Sequence, residues 1–296
     1  MNKNKYLLAS GCSYTGGGAF NNLELFGKEF PTYSNTLLGN TIPFKHDEYE
    51  IFFSDTNFKN LIREYLWPHI LSNLLQYNGA YNVAAGGKGI HTTINNVYHF
   101  IFNWMKSGKD VTELEIWYQI PSVHRIEIYI NKEDNHQCIL TELNDGNEIK
   151  EFFITNFFDE DYNLLSGLHE MYKFKKYCDT LGVTIYFIPW DSDEYKPTSP
   201  AFISLKKRIE SYKKDIQKNQ FKKFWSNIDE VLHYNIDDIL TELKPIFVED
   251  ITLNEYARRE CSTFYFKDKY SDITNDSHMT KEGHQKYAET LKEILK

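Results

Sequence analysis

The sequence lacks long apolar runs, is poor in cysteine and carries no surplus of positive charge. No stretch of it approaches the roughly 18 consecutive apolar residues that a membrane-spanning helix needs. The 33 basic and 42 acidic residues give a net charge of −9, which argues against nucleic acid as a partner. The 4 cysteines lie far apart without a C-x-x-C pair, so we expect reduced thiols and no zinc site.

Targeting and cofactor signals are also missing. A lipoprotein signal needs an apolar stretch of about 7 to 15 residues before its cysteine, whereas only Tyr6–Ala9 precede the Ser-Gly-Cys at residues 10–12. The dinucleotide pattern G-x-G-x-x-G is absent from the opening loop, and the histidines have no metal-ligand spacing. We therefore expect a cytoplasmic or phage- or particle-associated protein with no metal, no cofactor and no membrane partner.

The residues that are present predict an α/β fold with a parallel sheet. Apolar residues make up 41% of the chain, which is enough for a sizeable core. Short apolar segments that end in glycine or proline alternate with helical patterns, as in parallel sheets. The predicted strands are Tyr6–Ser10, the start of Ala80–Gly89, Glu113–Ile120 and Val183–Trp190. The carboxyl ends of parallel strands share one edge, where such folds bind ligands.

The remaining predicted elements are helices and one hairpin. Residues 125–130 and 137–140 alternate in polarity and are predicted to pair as a β-hairpin. The predicted helices are Leu61–Leu75, Ile90–Lys106, Asp161–Leu181, Ser199–Lys218, much of Phe221–Leu243 and Thr280–Leu295.

The opening loop, Gly11 to Gly18, places Ser13 directly after the first strand. Glycine permits the tight turn that would expose this hydroxyl, and helix amides nearby would favour a developing anion. The same features suit an anion cradle or a plain structural turn, so the loop alone leaves all three open. Cys12 is a weaker candidate nucleophile because a residue next to an exposed serine usually packs beneath it.

A serine nucleophile requires a base, and the candidate lies near the other end of the chain. His278 precedes the last predicted helix, and Asp276, two residues earlier, could orient its imidazole and stabilise its charged form. A Ser–His dyad helped by a backbone carbonyl stays open as the alternative. His284 falls inside the helix, where a packing or capping role is expected instead.

Three ordered blocks resemble the SGNH (GDSL-like) hydrolases. Gly11–Gly17, G-C-S-Y-T-G-G, is similar to the family's G-D-S-x-T-x-G, and Asn82–Gly89, N-V-A-A-G-G-K-G, to its N-x-A-x-x-G. Asp276–Ala288, D-S-H-M-T-K-E-G-H-Q-K-Y-A, is similar to D-x-H-P-x-x-x-G-H-x-x-x-A, a variant of bacterial and phage members. The resemblance spans the chain but depends on these short blocks.

The resemblance implies a three-layer α/β/α sandwich with a mostly parallel, flavodoxin-like central sheet and a serine esterase mechanism. Ser13 would attack an ester carbonyl and His278 would carry the proton. The backbone N–H groups of Ser13 and Gly87, with a side-chain amide, would form the oxyanion hole. The family takes that amide from G-x-N-D, which this sequence lacks after its third strand; Gln119 is the nearest substitute.

The substrate follows from the same resemblance. Arg125 and Tyr14 would contact it, and a small acyl group, such as acetyl, on a glycan is the expected ester. One domain, 1–296, would carry insertions at about 20–75, 125–160 and 195–270. Two alternatives stay open: a binding or assembly module that has lost the chemistry, and an acyltransferase that uses the same residues.

Overall fold

The structure of the chain is a computed structural model, which describes most of the predicted sheet and its helices. The described residues are 4–11, 15, 64–85, 88–122, 125–129, 136–140, 160–189, 200, 203–208, 210–211, 236–243, 264–266, 274–276 and 281–294.

Eight strands and five helices have defined bounds. The strands are β1 (Tyr6–Ser10), β2 (Gly79–Asn82), β3 (Leu114–Gln119), β4 (Arg125–Tyr129), β5 (His136–Leu140), β6 (Thr184–Ile188), β7 (Phe264–Phe266) and β8 (Thr274–Asp276). The helices are α1 (Trp67–Leu74), α2 (Ile90–Lys106), α3 (Glu160–Leu181), α4 (Ile236–Leu243) and α5 (Lys281–Ile294), with a 3₁₀ turn at Val111–Glu113.

A four-stranded parallel sheet in the order β2-β1-β3-β6 organises the described chain. Every residue of β3 is buried, as expected for an inner strand covered on both faces. The predicted α/β class with a parallel sheet is confirmed.

Helices pack against both faces of this sheet. Successive side chains of β1 point to opposite faces, and each set contacts a different pair of helices. Leu8 joins an apolar cluster with side chains of α2 and α3, whereas Leu7 and Ala9 join a second cluster with side chains of α1 and α5. This period of two is that of a strand buried on both faces. In the second cluster, the rings of Trp67 and Tyr287 meet edge to face with centroids 5.7 Å apart.

The predicted hairpin and most predicted strands and helices are confirmed within a few residues. β4 and β5 pair antiparallel, with Arg125 opposite Leu140. The first helix begins at Trp67 rather than near Leu61, because Pro68 occupies its first turn, where a missing N–H costs nothing. The last residues of the predicted insertion at 20–75 form α1, which packs on the sheet and is therefore part of the core. The insertions otherwise stay predictions.

A short antiparallel pair was not predicted. β7 and β8 place Asp276 opposite Phe264, so the candidate orienting residue ends a strand rather than lying in an irregular loop. Three-residue strands are too short to show a hydrophobic period. Among the helices in the described ranges, none has the length and apolar character to cross a bilayer.

Candidate functional site

The first two sequence blocks meet beyond the carboxyl ends of β1 and β2. The backbone N–H of Val83 donates to the Ala9 carbonyl and that of Ala85 to the Gly11 carbonyl, each over 2.9 Å. The side-chain amide of Asn82 donates to the Thr15 carbonyl over 2.7 Å. The loop after β2 therefore continues the pairing with β1 and fastens the opening loop at Thr15.

The end of β3 packs directly on the first block. Gly11 has φ +144°, and a Cβ built there would lie 2.6 Å from the Gln119 side-chain oxygen and 2.9 Å from the Gln119 carbonyl oxygen. Only glycine fits, since both the backbone angle and the space exclude a side chain. The ends of β1 and β3 thus approach each other at the turn before Ser13.

Gln119 lies at this edge of the sheet, but its amide group is engaged. The side chain is fully buried, and its nitrogen donates to the Ile120 carbonyl over 2.6 Å. To act as an oxyanion donor, the amide would have to direct one of its two N–H groups toward the substrate. Its proposed role stays a prediction.

Three hydroxyl groups fix the first turn of α2 against β1 and β3. Ser10 donates to the Thr93 carbonyl over 3.0 Å. The Thr93 hydroxyl lies 2.7 Å from that of Tyr118 and donates to the Gly89 carbonyl over 2.8 Å. All three residues are buried. Sequence reasoning missed this group because hydroxyls in a strand and in a helix carry no local signal that they will meet.

The β4 strand contributes two charged side chains to the same edge. Arg125 Nη1 donates to the Lys88 carbonyl over 3.1 Å. The Glu127 carboxylate accepts from the Gly89 N–H over 2.7 Å and from the Thr92 N–H over 3.0 Å. Arg125 therefore contacts the loop before α2, and its proposed contact with substrate stays a prediction. Glu127 was not predicted as a site residue.

His284 has the structural role that its place inside a helix suggested. It is 1% exposed, and its Nδ1 accepts from the Trp67 N–H over 3.2 Å. An accepting Nδ1 requires the neutral imidazole. The histidine thus caps α1 from α5.

Among the described residues, the three largest pKa shifts belong to groups that lie away from this edge. Burial raises the pKa of the Cys178 thiol to about 12 and that of the Tyr98 phenol to about 12. Burial also raises the pKa of Tyr77, whose hydroxyl donates to Glu115 over 2.8 Å near the amino end of β3. These shifts belong to the core and to the far end of the sheet.

The main catalytic candidates lie outside the described residues. They are Cys12, Ser13, Tyr14, Gly87 and His278. For Asp276 the structure gives the backbone position alone. Within the described ranges, no group of three or more histidine, cysteine or acidic side chains is arranged to hold a metal ion.

No protein-family model matches the chain, and a search of curated proteins finds no match either.

Proposed function

We propose that the protein is a serine esterase of SGNH type, built on a three-layer α/β/α sandwich of flavodoxin-like strand order. The observation that supports this most directly is the convergence of the first two sequence blocks and the end of β3 at one edge of the sheet. Ala85 bonds to Gly11, Asn82 bonds to Thr15, and Gln119 packs against Gly11. In an open parallel sheet, ligands bind at this edge.

The strand order adds support. In the order β2-β1-β3-β6, the chain moves from β1 to one side of the sheet for β2 and to the other side for β3 and β6. The switch point therefore lies between β1 and β3, where doubly wound sheets leave a crevice for ligands. Ser13 lies in the loop after β1, and Gln119 is the last residue of β3, directly before the second loop. A nucleophile on the first of these loops would face that crevice.

In the proposed reaction, the Ser13 hydroxyl attacks the ester carbonyl while His278 accepts its proton. Asp276 orients the imidazole and stabilises its charged form. The N–H groups of Ser13 and Gly87, with Gln119, hold the oxyanion. The ester C–O bond then breaks, and the alcohol leaves with the proton from His278. Water next attacks the acyl group on Ser13 and gives a proton to His278, which returns it to the Ser13 oxygen as the carboxylic acid leaves.

The proposed substrate is a small acyl ester, such as an acetyl group, on a carbohydrate. A phosphate at the start of α2 is disfavoured, because the Glu127 carboxylate already accepts from Gly89 and Thr92 there. An uncharged ester avoids repulsion from that carboxylate. Transfer of the acyl group to a sugar, rather than to water, would use the same residues. A cytoplasmic or phage-associated location belongs to this proposal.

The test combines covalent labelling with turnover. A fluorophosphonate probe should label Ser13, and an aryl acetate should be hydrolysed; Ser13→Ala and His278→Ala should abolish both. Ser107→Ala and His99→Ala are matched controls, because Ser107 ends α2 at the far side and His99 is exposed on that helix. Full labelling of Ser13→Ala would overturn the proposal.

A binding or assembly module is the second candidate. The bond from the Gln119 amide to the Ile120 carbonyl favours it, because one of the two N–H groups of this amide is then engaged within the chain. Loss of one such donor costs on the order of 10²–10³ in rate. A folded protein that is neither labelled nor active, but that binds an acetylated glycan, would select this function.

A further inference from the structure

We propose that Glu127 is a positioning residue, which fixes the end of the loop after β2 and the start of α2, the segment that directly follows the proposed donor Gly87 in the sequence. The inference rests on the proposed function, since Gly87 is the proposed backbone donor. It assigns to the β4–β5 hairpin a part in the site that the sequence blocks do not include.

The loop between Asn82 and Ile90 is fastened at both ends. At its beginning, Val83 and Ala85 bond to β1 and to the opening loop. At its end, Arg125 bonds to Lys88 and Glu127 bonds to Gly89. The interval left between these attachments contains Gly87.

The two charged side chains act together because they lie two residues apart on β4. Residues i and i+2 of a strand share a face, and here that face meets the loop. Arg125 contacts the carbonyl of Lys88, and Glu127 contacts the amide of the capping residue Gly89 and that of Thr92 in the first turn. One strand thereby bonds both to the end of the loop, at Lys88 and Gly89, and to the first turn of α2, at Thr92.

The capping residue of α2 does not supply this cap itself. Gly89 occupies the capping position without a side-chain bond, and the first turn contains no acidic residue. The first amides of a helix need partners and favour negative charge. Glu127 supplies both needs from a distance of 38 residues along the chain.

The close fit at Gly89 shows how tightly the carboxylate is seated. A Cβ there would lie 2.8 Å from Glu127 Cγ, 3.0 Å from its Cδ and 3.3 Å from the Arg125 carbonyl oxygen. The φ of Gly89 is −89°, which any residue adopts. Gly89→Ala therefore displaces Glu127 by volume alone and keeps the charge.

The first measurement is amide hydrogen exchange in peptides that cover residues 83–93. Glu127→Ala and Gly89→Ala should each speed exchange there by about 10-fold or more, because opening of the loop becomes easier. Glu127→Gln, which keeps one acceptor oxygen, should fall in between. Asp110→Ala is the matched control, since Asp110 accepts from the Thr112 N–H at the 3₁₀ turn before β3. Unchanged exchange in both test variants would overturn the proposal.

The second measurement separates positioning from stability. In Glu127→Ala, kcat for the aryl acetate should fall about 10- to 100-fold, as for a misplaced donor, while KM stays within about twofold. Asp110→Ala should leave kcat unchanged. Faster exchange with an unchanged kcat would make Glu127 a structural cap and would contradict the proposal.

The two proposals fail in distinguishable ways. A wild-type protein without labelling at Ser13 would remove the esterase, and with it the role of Glu127 in catalysis. A labelled, active wild type whose Glu127→Ala variant keeps its kcat would remove the positioning role alone.

Discussion

The starts of α1 and α2 are built alike in one respect and differ in another. Neither has a capping side chain of its own: Leu66 stands at the capping position of the first and Gly89 at that of the second. Each takes an acceptor from far along the chain, His284 for α1 and Glu127 for α2. The first acceptor is a neutral, fully buried ring and the second is a half-buried carboxylate.

This difference separates a core contact from a candidate site. The bond to His284 ties α1 to α5 inside an apolar cluster, where a charge would be costly. The bonds to Glu127 lie at the edge of the sheet where the first two sequence blocks converge, and there a fixed charge affects what can bind. We therefore expect loss of the first contact to reduce stability and loss of the second to reduce activity.

The largest expected effect on stability comes from His284→Ala. It removes a buried ring and leaves the Trp67 N–H without this acceptor, so we expect a loss of about 2–4 kcal/mol in the free energy of unfolding. Urea unfolding followed by tryptophan fluorescence measures it. His99→Ala, an exposed histidine on α2, serves as the control and should change stability little. A loss below about 1 kcal/mol would show that this cap is dispensable.

A smaller loss of stability is expected for Glu127→Ala. Caps and charges at helix starts contribute about 1 kcal/mol, and solvent can replace part of the lost bonds at this half-buried edge. The same urea titration measures it, beside His284→Ala. If Glu127→Ala proved the more destabilising of the two, the distinction between core contact and site contact would be wrong.

The smallest effect is expected at a third helical start, which is capped locally. Asp110 accepts from the backbone and the side chain of Thr112, and these bonds lower the pKa of its carboxyl group. A lowered pKa stabilises the fold above the ordinary value of an aspartate, and that stabilisation is lost as pH falls through the folded value. Asp110→Asn should thus lower the melting temperature slightly at pH 7, and the gap from wild type should close toward pH 2. A difference in melting temperature between wild type and Asp110→Asn that grows as the pH falls would contradict a lowered pKa of Asp110.

The sequence predicted the parts of the fold that local patterns encode. The buried run at β3, the alternation in β4 and β5, and the period of α2 each depend on neighbouring residues. The start of α1 was predicted too early, because the periodic pattern outweighed the signal of Pro68. The pair β7–β8 was missed since three residues cannot show a period.

The sequence predicted residues of the motif blocks at the candidate site, but not the side chain that holds the start of α2 beside them. Gly11 and Asn82 were found through the resemblance, and both make contacts at the shared edge. Glu127 was missed because its acceptors lie in another element, and a strand carboxylate carries no sign of which helix it caps. A helix that starts with glycine and has no acidic first turn is the signal that could have prompted a search for such a distant cap.

The central claim is that the two ends of the chain form one catalytic pair. A crystal structure of the protein after reaction with a fluorophosphonate measures this most directly. The account predicts phosphorus bonded to Ser13 Oγ, with His278 Nε2 about 2.6–3.2 Å from that oxygen or from the leaving-group side of the adduct. An unmodified Ser13, or an imidazole of His278 on the opposite side of the sheet, would contradict it.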